Sequence, residues 1–253
     1  MKIVVIGGTG LIGSNLVNRL LRHDHTVIAA SPASGVNTIT GEGLNEALKN
    51  AAIVVDVSNS PSFEDKAVLD FFQRSTMNLL TAEAYAGVKH HVAMSVVGAE
   101  RLPESGYLRA KIAQEELIKE SGIPYSILRS TQFFEFAGRI AQAGTTGEEV
   151  HISPAEFQPI ASDEVVSALA DIVLGAPLNA TVEVAGPVRM PMVEFIRYYL
   201  NATEDSRRLI SDGHALYFGA ELNDRSLVPG GNPRLGRIKY EDWFRAQLAT
   251  AQS

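Results

Sequence analysis

Short apolar runs alternate with longer amphipathic stretches through the first half of the chain. Five runs rich in Val, Ile and Ala have the length and β-branched content of buried strands: Lys2–Ile6, Thr26–Ala30, Ile53–Val57, His91–Ser95 and Tyr125–Leu128. Between them, apolar positions recur at helical spacing over Leu11–Arg22, Leu44–Asn50, Phe63–Ala86 and Tyr107–Ser121. The last of these helices closes on "SGIP", where glycine stops the helix and proline opens the next strand. Such alternation predicts βαβ units, hence an α/β fold with a parallel sheet. A short run at Thr38–Thr40 adds a further candidate strand.

After about Ser130 the rhythm changes. "ASDEVVSALADIVLG" predicts a helix with Ser162 or Asp163 at its N-cap and Gly175 past its end. "TVEVAGP" predicts a strand and "MVEFIRYYL" another helix, whereas Leu209–Pro233 has little periodicity. There is no internal repeat and no low-complexity linker. The expected organisation is therefore a core over residues 1–130, with a substrate-binding portion over 131–253 packed onto it as one unit.

Composition narrows the function more than the fold. The 253 residues are 45% hydrophobic and 20% charged, ordinary values for a folded soluble chain. A net charge of -7 with scattered cations disfavours nucleic acid as the ligand. There is no cysteine, so disulfide and thiolate chemistry are excluded. The pairs His23/His25 and His90/His91 have no partners at ligand spacing; they read as surface-loop residues, and no metal site is expected. No apolar run is long enough for a membrane helix, and the opening "MKIVVIGGTG" breaks at glycine too early for a signal-peptide core. A cytoplasmic location is the expectation. Pairing of copies through a surface helix is compatible with the sequence, although no residue demands it.

The candidate chemistry begins at "GGTGLIG". Gly7, Gly10 and Gly13 are spaced G-x-x-G-x-x-G directly after a strand and at the start of a helix. Such a turn lets the backbone approach a pyrophosphate, and the amides of Thr9, Leu11 and Ile12 with the helix dipole behind them favour it. In that context dinucleotide binding outweighs a turn that holds nothing. An acidic residue at the end of the second strand would select NAD by its hydrogen bond to the ribose. Here the chain reads "VIAASPASG", with Ser31 and Ser34 and no carboxylate before Glu42, which favours NADP(H) over NAD(H). Ser58 and Asn59, after the third strand, fall where a doubly wound sheet presents a ligand, although both also suit a turn.

In "YLRAK", Tyr107 and Lys111 share a helix face. A phenol can protonate a carbonyl oxygen that receives hydride, and a neighbouring ammonium would lower its pKa. Lys111 could also hold the cofactor's ribose. Ser95, closing the preceding strand, could orient the substrate oxygen. The spacing alone is a common accident on helices; its position after the glycine-rich turn and Ser95 gives it weight.

With these residues in view, the chain resembles the short-chain dehydrogenase/reductase superfamily, and within it the atypical NmrA-like group of NAD(P)-binding proteins. The similarity rests on "GGTGLIG", on "MSVVGAERLPESGYLRAKIAQEELIKESGIPYSILRSTQFFEF" and on "PIASDEVVSALADIV". It implies a Rossmann-like doubly wound sheet, a catalytic Ser95, Tyr107 and Lys111, and a segment Ser130, Thr131 and Gln132 passing near the nicotinamide. Two departures stand out. This chain has "LRST" where related proteins often have Leu-Arg-Pro-Gly, and many members of the group lack the tyrosine and act as redox sensors. The expected function is a reductase that moves hydride to a small carbonyl or quinone, with a non-catalytic NADP(H) sensor as the alternative. Sugar-nucleotide chemistry ranks lower, because the second half has no cluster of basic residues for another diphosphate. Val96, Phe133 and Phe134 are expected to wall the substrate pocket, with at least one of Phe133, Phe134 and Phe136 in the core. Arg129, inside an apolar strand, reads as structural, and Trp243 as an anchor of the C-terminal tail on the core.

Overall fold

The computed structural model describes residues 1–251. Its first half runs β1 (Lys2–Ile6), α1 (Leu11–Leu21), β2 (Thr26–Ala30), α2 (Leu44–Leu48), β3 (Ile53–Asp56), α3 (Asp65–Ala86), β4 (His90–Val96), α4 (Gly106–Glu120) and β5 (Tyr125–Ser130). The second half continues with α5 (Ala137–Ala143), β6 (Thr145–Thr146), β7 (Glu149–Ile152), β8 (Glu156–Phe157), α6 (Ser162–Leu174), β9 (Ala180–Ala185), β10 (Met190–Pro191) and α7 (Met192–Ala202). It ends with β11 (Arg208–Ser211), the hairpin β12 (Leu216–Tyr217) and β13 (Ala220–Glu221), β14 (Arg234–Leu235) and α8 (Tyr240–Ala251).

Seven strands form one sheet in the order β14-β9-β5-β4-β3-β1-β2, with every neighbouring pair parallel. Helices cover both faces, which explains why β1 is apolar on consecutive residues instead of alternating: Ile3, Val4 and Val5 are all fully buried. On one face Leu16 and Leu20 of α1 pack with Val165, Leu169 and Val173 of α6. On the other, α2 and α3 cover β1 and β3, while Ile118 of α4 packs with Ala93 and Ile127. β1 lies between β2 and β3, so the direction of chain winding reverses there; in doubly wound sheets ligands bind at the carboxyl ends of the strands beside such a point. Beyond β5, α5, α7 and α8 surround a separate aromatic core that includes Phe134, Phe157, Phe195 and Tyr240. No helix among the described residues is long and apolar enough to cross a membrane.

Three expectations need correction. Residues Thr38–Thr40 form a turn, with Asn37 Oδ1 accepting from the Ile39 and Thr40 amides; an Asx turn competes with strand pairing. His90 and His91 are no surface pair: they sit in β4, 3% and 0% exposed, where His91 Nδ1 lies 2.8 Å from Glu83 Oε1 and His90 Nε2 lies 2.8 Å from Ser126 Oγ. Neither Ser162 nor Asp163 caps α6 from its own side chain. The cap residue is Ala161, and the Glu135 carboxylate accepts from the Ser162 amide at 3.2 Å and from its hydroxyl at 2.5 Å. A distant acid at the positive end of the helix replaces the local cap.

Candidate active site

The glycine-rich turn is built by close backbone approach. Gly7 takes φ +76°, and a Cβ there would lie 2.9 Å from the Ser58 Cα, so the turn after β1 abuts the loop after β3. A Cβ on Gly13 would lie 2.1 Å from the Gly7 carbonyl oxygen, which forces glycine in the first turn of α1. Gly10 caps that helix without any side-chain hydrogen bond, and the first turn carries no acidic residue. The opening amides of α1, from Leu11 to Gly13, thus face away from protein acceptors at the positive end of the helix. This arrangement fits a dinucleotide's diphosphate. Beyond β2, Ser34 Oγ is used within its own loop, accepting from the Ser31 amide at 2.9 Å, whereas Ser31 Oγ is buried without a partner among the described residues.

From this turn the strand ends lead into a cavity of about 430 Å³. Ser58 and Asn59 stand on its wall, as do Ser95 and Val96 at the end of β4, Ser130 and Thr131 at the end of β5, and Tyr107 and Lys111 of α4. Phe133 and Phe136, with ring centroids 5.1 Å apart, line it as well. Phe134 does not. It is 2% exposed and packs against Phe195, Tyr240 and Trp243, so its assignment to the substrate pocket is corrected to the core. The chain turns from extended backbone at Phe133 into a 3-10 turn over Phe134–Phe136, which points Phe134 into the core. Trp243 stacks on Tyr240 at an interplanar angle of 18°, fastening α8 to this core.

Tyr107 and Lys111 share a face of α4, and both contact the Phe72 ring, Tyr107 by its edge at 6.2 Å and Lys111 Nζ at 4.4 Å. They do not perturb each other as the spacing suggests. Burial pushes the Tyr107 phenol up to about 12, with no offset from the lysine. Burial pulls Lys111 down to about 8, against smaller opposing pulls from Asp56 and Glu115. The lysine's Nζ donates to the Met94 carbonyl at 2.8 Å and to Gln114 Oε1. Gln114 Nε2 in turn donates to Asp56 Oδ2 at 2.9 Å, and Asp56 Oδ1 accepts from the Ser58 hydroxyl at 2.6 Å. A chain of hydrogen bonds therefore links the lysine on α4 to the loop that abuts the glycine-rich turn.

Beside it, Arg129 makes paired bonds of 2.8 Å to both oxygens of Glu115 and reaches Glu100 at 2.5 Å. Burial alone would raise the Glu115 pKa; hydrogen bonds led by Arg129 hold it below the usual range. Arg129 is a structural cation, as its apolar strand implies. Ser95 lies on the same face of the sheet as Arg129, its register partner, and its hydroxyl faces the Glu115 carboxylate, helping to hold that acid's pKa down.

Sequence reasoning missed Asp56, Gln114, Phe63, Tyr217 and Phe218. Asp56 carried a signal, a lone acid ending a fully buried strand, and Gln114 follows Lys111 at i+3. Tyr217 and Phe218 carried none, lying in the aperiodic segment. Phe218 stacks on Tyr107 at 5.6 Å and 28°, with Phe63 against both. Its φ of +47° marks a tight hairpin tip, where a bulky residue is strained. His151, also on the cavity wall, lies between Asp212 and Glu149, each 3.2 Å away.

Similar proteins agree with this layout. The Photosystem II assembly factor Ycf39 of Synechocystis sp. is 25% identical over 149 residues, 53% of this chain and 46% of that protein. The chloroplastic divinyl chlorophyllide a 8-vinyl-reductase of Cucumis sativus is 27% identical over 224 residues, 74% of this chain and 53% of that protein. The chain spans about half the length of these curated relatives. Among solved structures, dTDP-4-dehydrorhamnose reductase of Bacillus anthracis in complex with NADP superposes with a TM-score of 0.76 at 14% identity, covering 98% of this chain and 99% of that one. MoeE5 in complex with UDP-glucose and NAD gives 0.76 at 17% identity, covering 100% and 99%. At such identities these structures speak for the Rossmann-like fold alone. The family is shown by sequence: residues 7–174, from the glycine-rich turn to the end of α6, match the model described as NAD(P)H-binding, and the chain belongs to that family.

Proposed function

We propose that the protein is an NAD(P)H-dependent reductase acting on a small, flat carbonyl or quinone, with residues beyond 131 closing the substrate side of the cavity. One observation carries this reading: Ser95, Tyr107 and Lys111 converge on one aromatic-walled cavity at the strand ends beside the glycine-rich turn. The turn, with Thr9, Leu11, Ile12 and Gly13, would hold the diphosphate; Ser58, Asn59, Ser130, Thr131 and Lys111 would hold the nicotinamide half. A bound reduced nicotinamide supplies the hydride. Tyr107, protonated throughout neutral pH because burial raises its pKa, donates its proton to the substrate oxygen. Lys111, held in place by Gln114 and Met94, would hold the cofactor's ribose. Ser95, on the cavity wall, offers its hydroxyl to the same oxygen. NADP(H) is the preferred form, because no carboxylate follows β2 and the buried Ser31 hydroxyl awaits a partner.

The test is NADPH oxidation across a panel of quinones and carbonyls, with Tyr107→Phe run alongside after both proteins are shown to bind the cofactor. Turnover that requires Tyr107 supports the assignment; turnover indifferent to it removes the proposed acid. A second reading, a non-catalytic NADP(H) sensor, draws support from the covering of Tyr107 by Phe63 and Phe218 and from similarity to a protein named as an assembly factor. It requires unequal affinity for the oxidised and reduced cofactor.

A further inference from the structure

Two cavity-lining side chains, Thr131 and Gln132, are buried yet have polar atoms without partners at hydrogen-bonding distance among the described residues. The proposed reaction uses the strand-end hydroxyls. It leaves Gln132 unexplained. This side chain is 6% exposed, and neither its amide nitrogen nor its amide oxygen has a partner at hydrogen-bonding distance among the described residues; the Tyr217 phenol is its polar neighbour. Its backbone is pinned, because the Gln132 carbonyl accepts from the Ile160 amide at 2.8 Å and the Phe134 amide donates to the Ile160 carbonyl at 2.9 Å. The bridge fixes where the side chain starts from the main chain, and the amide lines the cavity from there. Buried polar groups are nearly always paired, and an exception in a cavity wall marks the place of a ligand's complementary atoms. Turning the amide about its last bond exchanges nitrogen and oxygen and leaves both unsatisfied.

We propose that Gln132 is a specificity-determining residue that reads the substrate through a two-point hydrogen bond. Its polar neighbour is Tyr217 of β12, whose phenol burial pushes up while the Gln132 amide partly opposes that rise; a ligand would compete with this loose contact. The surrounding wall, Phe133, Tyr107, Tyr217 and Phe218, is flat and apolar. A ligand that satisfies both atoms presents an acceptor and a donor side by side on an apolar ring, as in a quinone with a hydroxyl next to its carbonyl. A ring lacking that hydroxyl leaves half of the amide unpaired and binds less well. The substrate class rests on the reductase reading above; the two-point contact rests on the geometry of Gln132.

The experiment measures binding, not turnover. In the NADP⁺ complex, affinities for a hydroxynaphthoquinone and its parent naphthoquinone are compared in the natural protein, Gln132→Leu and Gln132→Met. The natural protein should prefer the hydroxyquinone about tenfold or more, and both variants should lose that preference by binding it more weakly. NADP⁺ affinity should not change. Because neither amide atom is paired, the melting temperature of the cofactor-free variants should equal or exceed that of the natural protein. Equal affinities in the natural protein, an unchanged preference in both variants, or a parallel loss of NADP⁺ affinity would each overturn the inference. Turnover of either quinone without discrimination leaves the reductase reading standing while this inference falls. Discrimination without turnover does the reverse.

Discussion

The two ends of the candidate site are made from different materials. The glycine-rich turn is backbone throughout: Gly7 approaches Ser58, Gly13 approaches Gly7, and the acceptor-facing groups are amides. The chamber beyond it is side chain throughout, assembled from the ends of β4 and β5, α4 and a distant hairpin carrying Tyr217 and Phe218. The turn suits a ligand half that does not vary, because amides offer one geometry. The chamber suits a variable substrate, because each wall residue can change without disturbing the sheet.

Breaking the chamber and sparing the turn should give the largest effect. Tyr107→Phe is expected to lower carbonyl reduction by about 10²–10⁴-fold with cofactor affinity intact, read from steady-state rates beside a binding titration. Breaking neither gives the stability control. Glu83→Gln, away from both, keeps an acceptor for the buried His91 but removes the carboxylate charge that pairs with it, and should cost about 1–3 kcal/mol in chemical denaturation. Breaking the turn alone comes next: Gly13→Ala should weaken NADP(H) binding by roughly tenfold or more, since overpacking against the Gly7 carbonyl costs about 1–3 kcal/mol. Cofactor affinity equal to that of the natural protein would show that the turn tolerates the side chain and is not the cradle described.

The pH profiles separate the same regions most finely. Lys111, pulled down to about 8 by burial, should lose its charge as pH rises through that value, so cofactor affinity, and reduction at limiting cofactor, should fall above about pH 8. Lys111→Met should abolish that limb. The stability consequence has the opposite direction: between about 8 and the ordinary lysine value the unfolded chain holds a proton that the folded one does not, so stability from this group rises with pH. For His91, desolvation opposes the charge but Glu83 outweighs it, and the folded pKa lies above 6.5. Its contribution is present in full below 6.5 and is lost as pH rises through the folded value. Glu83→Gln should flatten that slope in a series of melts.

Strand and helix patterns in the first half were legible because β1 and β3 are buried on both faces and read as continuous apolar runs, and the intervening helices keep their period. The second half was less so: β6, β8, β10 and β12–β14 are two residues each and have no period to read. His90 and His91 misled because a buried histidine is distinguishable from a loop histidine only by its partner, and Glu83 comes from the preceding helix. Phe134 misled because three aromatic residues in one short segment do not reveal which faces the cavity.

By itself the sequence determined the βα alternation of a parallel sheet, the glycine-rich turn and the order Ser95, Tyr107, Lys111, since these rest on local spacing and on backbone conformations that few residues can adopt. Tertiary structure alone decided that Lys111 reaches Asp56 through Gln114, that Phe218 covers Tyr107, and that Gln132 faces the cavity with its amide unpaired. Each depends on side chains brought together from separate elements, and burial, which sets their charge and their need for partners, exists only once the chain has packed.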